Sequence, residues 1–205
     1  MAIAYRSQTN SLLQTVSATA VINTPAGAID GDALVCFINT SNPAPAPAGW
    51  ALLGTANAVT TYQRQALGTP ASTTFTFPAS QNFTFLMLAY SGGIYDSYVP
   101  VALGPNAGTV YTSPSATPTS SPGLFVAMVN TKFSDGNDFY AINSGVTSLR
   151  NNGHDGAESI GVGDAPYIGG SAVQGAFNAT LPNTPYGAVT VLLRQSGLYV
   201  PAIML

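Results

Sequence analysis

At 205 residues the chain is long enough for one large β domain with its own core, although the length alone also fits two smaller ones. Charged residues make up 6% and hydrophobic ones 46%, which excludes disorder, since that needs low hydrophobicity with high charge. The net charge of −3, with only five Lys and Arg, leaves no basic stripe for nucleic acid, and apolar runs such as 83–90 are too short for a membrane helix, so neither nucleic-acid binding nor membrane insertion is expected.

The polar surface must come from Ser, Thr, Asn and Gln. A surface with so little charge gives little repulsion between copies and suits a protein packed against neighbours. Residues 3–8 read as a first strand. Residues 11–20 are the nearest approach to a helix and read equally well as a loop plus strand. Residues 16–22 alternate and lead into the Pro25-Ala26-Gly27 turn, and Asp30-Gly31 signals a second turn. Residues 33–38 form a nearly continuous apolar run, expected to be a central strand covered on both faces. Cys36 sits inside it and reads as a small buried hydrophobe. As the single Cys it cannot form an intramolecular disulfide. As a nucleophile it would need a base, and the only His, His154, is in a distant loop.

Residues 42–49 read NPAPAPAG. Pro43, Pro45 and Pro47 at alternate positions disfavour helix and interior strand and predict an extended polyproline-like loop. Trp50 follows, read as a core anchor, with a sugar-stacking platform as the alternative. Residues 52–53 and 59–67 are expected strands. Arg64 there reads as solvated, with a carboxylate partner as the other possibility. Residues 73–77 alternate with Phe75 and Phe77 on the inner face. Residues 82–90 are apolar on both faces and should lie mid-sheet, stopped by Gly92-Gly93. A weaker strand at 98–103 is expected to break at Pro100. Residues 104–122 look like the link between two halves, with a short strand at 109–112. Residues 123–129 should return to the same sandwich, buried on both faces.

Residues 132–170 are the least regular stretch. They hold five of the eight acids, the only Lys and the only His, and short strands are expected at 146–150 and 158–162. Strands at 173–180 and 186–194 complete the fold. The apolar tail 198–205 either tucks under the sandwich or is a docking arm, because an exposed one would be an aggregation hazard. Leu198, Tyr199, Val200, Ile203 and Leu205, with the three loop prolines, are the candidate interface residues.

Candidate chemistry is sparse. Asp135 to Asp138 resembles a fragment of a calcium loop but lacks the remaining oxygen ligands, so a β-turn is the reading. His154, Asp155, Glu158 and Asp164 are the one grouping of a base with carboxylates, and a hydrolase or metal site would rest there. No second His stands at ligand spacing, no G-x-S-x-G elbow occurs, and neither glycine-rich nucleotide fingerprint is present. No catalytic residue, metal or cofactor is expected.

The series Gly31-Asp32-Ala33-Leu34-Val35, Pro47-Ala48-Gly49-Trp50, Tyr62-Gln63-Arg64, Thr74-Phe75-Thr76-Phe77 and Ala89-Tyr90-Ser91-Gly92 resembles β-sandwich proteins of tailed bacteriophages and prophages. The closing run from Gly187 to Arg194 is similar to that group's final strand. The likeness covers residues 15–95 well and the second half loosely. It implies a virion structural protein, a head decoration, fibre or tail-associated component. The expected fold is all-β: a two-sheet antiparallel sandwich, jelly-roll-like, of eight to ten strands in one domain over 1–197, with 198–205 as a possible docking arm. The expected function is non-enzymatic assembly on the capsid or tail. The partners would be other virion proteins and further copies of the chain as a homo-oligomer. The alternative is a carbohydrate-binding module that attaches to a host surface glycan. With no signal peptide in MAIAYRSQTN, synthesis in the host cytoplasm and location in the virion are expected.

Overall fold

A computed structural model describes residues 2–68, 70–103, 109–119, 122–132, 140–154, 158–168, 170–179 and 186–196. The described residues form an all-β antiparallel sandwich without helix. The strands are β1 (Ala4–Asn23), β2 (Ala33–Thr40), β3 (Ala51–Ala56), β4 (Val59–Gln65), β5 (Ser72–Ser91), β6 (Gly93–Leu103), β7 (Val110–Thr112), β8 (Gly123–Lys132), β9 (Tyr140–Ser144), β10 (Ser148–His154), β11 (Glu158–Tyr167), β12 (Ala176–Ala179) and β13 (Tyr186–Gln195). One five-stranded sheet has the order β1-β5-β2-β4-β3, and the other has the order β10-β11-β8-β13-β6. A third sheet, β7-β12-β9, has three strands.

Hydrophobic pattern explains the order. The centres of the two large sheets are β2 and β8, the two runs of continuous apolar sequence. A strand covered on both faces needs no polar alternation. Val35 and Phe37 of β2 meet Leu124, Val126 and Met128 of β8, with Leu86 and Leu88 of β5 and Val189 and Val191 of β13, in the core between the sheets.

The opposite face of each large sheet is also covered. β1 and β5 are both 20 residues long. Their distal halves pair as a two-stranded ribbon, Thr19 to Asn23 against Thr76 to Ser72, which folds over the outer face of the first sheet. Phe75 and Phe77 of this ribbon bury against Leu34, Cys36, Ile38 and Trp50. The three-stranded sheet covers the second sheet in the same way, packing Tyr111, Tyr140 and Phe177 on Phe125, Ala127 and Leu192. The molecule is therefore four layers deep.

Several sequence expectations need correction. Thirteen strands stand among the described residues, more than the eight to ten expected; β9 pairs where no strand was expected, and the strand expected at 146–150 is β10, Ser148–His154. Residues 11–20 belong to β1 and are neither helix nor loop. Pairing with β5 imposes an extended backbone on a polar sequence, at the cost of three register irregularities. Pro100 does not break its strand. β6 is the edge of its sheet, paired only with β13, and an edge tolerates a missing N–H. The two halves are not joined by 104–122. The first sheet is complete at Ser91, the second begins at Gly93, and Gly92 makes the switch alone with φ +69°.

Two cross-sheet hydrogen bonds mark the ends of the sandwich. At one end Asn39 Nδ2 donates to Asn130 Oδ1 at 3.0 Å. At the other, Tyr90 Oη donates to Asp164 Oδ2 at 3.0 Å. β6, β8 and β10 finish at the asparagine end, and β11 and β13 start there.

Candidate functional site

The densest polar cluster lies at the tyrosine end. β10 carries a bulge: Leu149 pairs with Gly163 and Asn151 with Val162, leaving Arg150 as the extra residue. That bulge aims Arg150 at Asp164, whose Oδ2 and Oδ1 accept from Nε at 2.5 Å and from Nη2 at 2.8 Å. The Asp164 side chain is 2% exposed and that of Arg150 23%. The guanidinium also lies over the Tyr5 ring, 4.1 Å from its centroid. Tyr5 in turn packs edge-on against Tyr90. Burial raises the Tyr90 phenol well above its ordinary value, and the Asp164 charge and hydrogen bond add to this. Burial alone would lower Arg150, but the Asp164 hydrogen bond and charge outweigh it, so the guanidinium stays charged. The cluster ties β1, β5, β10 and β11 together across the two sheets. Its groups are saturated with one another, which suits a clamp better than a reacting centre.

The grouping of His154 with acids is not assembled around Asp164. His154 stands opposite Ser159, whereas Asp164 stands opposite Ser148 at the other end of the hairpin. Five residues of strand separate Ser159 from Asp164, about 17 Å. Glu158 lies opposite Lys132 in the ladder at the asparagine end. Asp155 and the 135–138 turn lie outside the described residues, as do Leu198, Tyr199, Val200, Ile203 and Leu205. Among the described residues no group of three His, Cys, Asp or Glu is placed to hold a metal ion. No helix among them is long and apolar enough to cross a membrane.

Cys36 is fully buried, and burial drives its thiol far from the thiolate form. Trp50 is 7% exposed, packs edge-on against Phe75 and donates Nε1–H to Thr73 Oγ1 at 3.3 Å. It is a core anchor, not a platform for a sugar ring. Arg64 donates to the Leu67 carbonyl at 2.9 Å, a local loop contact.

The proline-rich loop is pinned from beneath and from the side. Tyr62 Oη donates to the Ala44 carbonyl at 2.6 Å, and Ala44 is buried. Gln81 of the ribbon accepts from Asn42 N at 2.9 Å and donates back to its carbonyl at 2.5 Å. Pro43 and Pro45 are left exposed and Pro47 half-buried. Loop and ribbon thus form one outer surface, on which Val16 and Val21 are 69% and 60% exposed. No charged residue occurs in 7–29, 33–63 or 65–95, and the charge beside this surface is Arg64, whose guanidinium lies against Gly49 at the end of the loop.

Tyr62 also gives the sandwich an alkaline limit. Burial, then the neighbouring Cys36, pushes its phenol up to about 12, partly opposed by the Ala44 hydrogen bond. A raised phenol favours the folded state fully below the unfolded value near 10 and loses that contribution as pH rises toward 12. Because burial also raises the Cys36 thiol, urea midpoints are expected to begin falling near pH 9, its ordinary value, and to fall more steeply between 10 and 12 as Tyr62 adds its own loss. Tyr62→Phe should be less stable at pH 8, by about 1 kcal/mol for the lost hydrogen bond, and should fall less steeply above 10. A slope unchanged by Tyr62→Phe would contradict this assignment.

A cavity of about 320 Å³ opens on the outer face of the second sheet. Phe125, Pro166, Tyr167, Ile168 and Val173 supply its apolar wall, and Gln174 is among its polar lining. Sequence reading missed this cavity and the Arg150–Asp164 clamp. The cavity depends on where Ile168 and residues 171–174 lie against β8 and β11, and the clamp on a bulge, and neither leaves a periodic trace. The chain matches no family model, no curated protein and no solved structure.

Proposed function

We propose that this chain is a non-enzymatic structural protein of a tailed-bacteriophage particle, which decorates or assembles on the capsid or tail through protein–protein contacts. The observation that carries the reading is the outer layer formed by the ribbon and the proline-rich loop, whose own residues carry no charge. A free surface normally mixes charges of both signs to stay apart from its neighbours. This layer instead offers Thr, Val, Pro and Ala on a firmly backed support, at which a neighbouring subunit loses little by desolvation. The motif series of the first half, from Gly31 to Gly92, supports the same reading by its resemblance to phage sandwich proteins. Arg150, Asp164 and Tyr90 are engaged with one another across the two sheets, which fits a non-enzymatic role.

The test is charge insertion. Val21→Glu and Pro45→Glu lie on exposed positions and are each expected to change unfolding free energy by less than about 0.5 kcal/mol. Together they should lower recovery of the protein in purified particles of the encoding phage at least tenfold. Recovery equal to that of the unaltered protein would remove this surface from the assembly.

A further inference from the structure

We infer that the chain is two copies of one five-stranded repeat, and that the inner faces of the copies are one interaction surface whose partner is another copy of the repeat. This goes beyond the assembly proposal, which concerns the outer layer of the first half.

Strand order is the first argument. With β7, β9 and β12 assigned to the covering sheet, the second large sheet holds β6, β8, β10, β11 and β13 in chain order. Read from β1, the first sheet places its strands first, fifth, second, fourth, third. Read from β6, the second sheet does the same. Register is the second argument. The central ladders run unbroken, from Ala33 opposite Tyr90 in one half and from Leu124 opposite Leu193 in the other. Relative to those rungs, both first strands bulge at the same place. Arg6 is the extra residue between Tyr5 opposite Tyr90 and Ser7 opposite Ala89, and Asp96 is the extra residue between Tyr95 opposite Leu193 and Ser97 opposite Leu192. Both third strands bulge as well. Leu53 falls between the partners of Tyr62 and Thr61, and Arg150 between those of Gly163 and Val162. Cys36 pairs with Tyr62 and Ala127 with Gly163, so this bulge also shares its rung. A bulge is a defined feature of a strand, and packing two sheets face to face does not require two of them to coincide. The same overlay sets Val35, Asn39 and Thr40 on Val126, Asn130 and Thr131, and Tyr5 and Ser7 on Tyr95 and Ser97.

Contact between equivalent residues is the third argument. Across a two-fold axis a residue touches its own equivalent only when it lies beside that axis. Asn39 and Asn130 are such a pair, hydrogen-bonded at 3.0 Å. Ile3 and Gly93, each two residues before its tyrosine, are another such pair, at the opposite end of the sandwich. A Cβ built on Gly93 lies 3.3 Å from Ile3 Cγ2. The axis therefore runs along the sandwich from the asparagine end to the tyrosine end. It sets the first strand of each half against the third strand of the other, and β1 does lie against β10 and β3 against β6. An interface of this kind uses the same patch on both sides. Val35, Phe37 and Leu88 of one inner face correspond to Val126, Met128 and Val191 of the other, and all six share one core. The halves differ in what covers their outer faces, the ribbon on one and the three-stranded sheet on the other.

The test uses the full chain with a protease recognition sequence inserted between Gly92 and Gly93 and cut after folding. The two halves are expected to stay together at the mass of the intact protein. Isotope-labelled and unlabelled cut proteins, unfolded together in urea and refolded, should give complexes of one labelled and one unlabelled half as abundant as the parent complexes by native mass spectrometry. Halves that separate on cutting, or that form no mixed complexes, would overturn the interaction surface. Equivalence is tested in the uncut chain by exchanging the pair beside the axis. Gly93→Ile alone should lower the urea midpoint, because its side chain meets Ile3. The double variant Ile3→Gly/Gly93→Ile moves the isoleucine to its equivalent position and should recover at least half of that drop. A double variant no more stable than Gly93→Ile would overturn the equivalence of the halves. Either failure leaves the particle-recovery experiment on Val21 and Pro45 untouched.

Discussion

Arg150→Met is expected to lower the unfolding free energy by about 3–5 kcal/mol, the range for removing one partner from a buried ion pair. The reason is what remains. Asp164, 2% exposed, would keep its carboxylate in the interior with only the Tyr90 hydroxyl to donate to it. The Tyr5 ring would lose the cation that lies over it, a smaller effect. The double variant Arg150→Met/Asp164→Asn should recover part of the loss. Asn still offers Tyr90 an acceptor but buries no charge. Urea unfolding of the parent, both single variants and the double variant gives the coupling directly. A double variant that loses the sum of the single losses would mean that the two residues do not act as a clamp.

The second large effect is expected at Gly187. This residue opens β13 at the asparagine end, where the second sheet touches the turn between β3 and β4 of the first. A Cβ built on Gly187 falls on the Ala56 carbonyl oxygen, and lies 2.9 Å from the carbonyl carbon and 3.2 Å from Asn57 Cβ. The obstruction is backbone, so no side-chain rotation relieves it. Gly187→Val should therefore cost about 3 kcal/mol or more, at the upper end of the overpacking range. Gly170→Ala is the control, since nothing stands within 4 Å of its added carbon. If both variants melt with the parent protein, the sheets do not approach at Gly187 as described.

Central strands could be read from the sequence because burial on both faces leaves a mark: β2 and β8 are continuous apolar runs, and each is central in its sheet. Trp50 and Cys36 were equally legible, as an aromatic at a strand entrance and a small residue in an apolar run. The middle of β1, residues 9–15 between the expected strands 3–8 and 16–22, was not, since its Ser, Thr, Asn and Gln carry no strand signal of their own and its extension is set by pairing with β5. β9 was missed for a related reason. It is five residues long, with four of them exposed, and owes its place to β12. The Arg150–Asp164 clamp was hidden because its geometry depends on one extra residue in a hairpin, and a one-residue bulge changes which way a side chain points without changing composition. Of the candidate interface residues, Pro43 and Pro45 stand on the surface, and Ala44 between them turns inward to Tyr62.

The single-residue switch at Gly92 has a consequence for synthesis. The whole first sheet precedes it and nearly all that faces that sheet follows it. A ribosome working at about 5–20 residues per second needs roughly 5–20 s to make the second half. Throughout that interval the nascent first sheet can bury Phe75 and Trp50 beneath its own ribbon, but Val35, Phe37, Leu86 and Leu88 await partners that have not yet been translated. The protein thus passes through a half-built stage with one side finished and the other open. Holding that open side away from neighbouring nascent chains is a task for chaperones during translation.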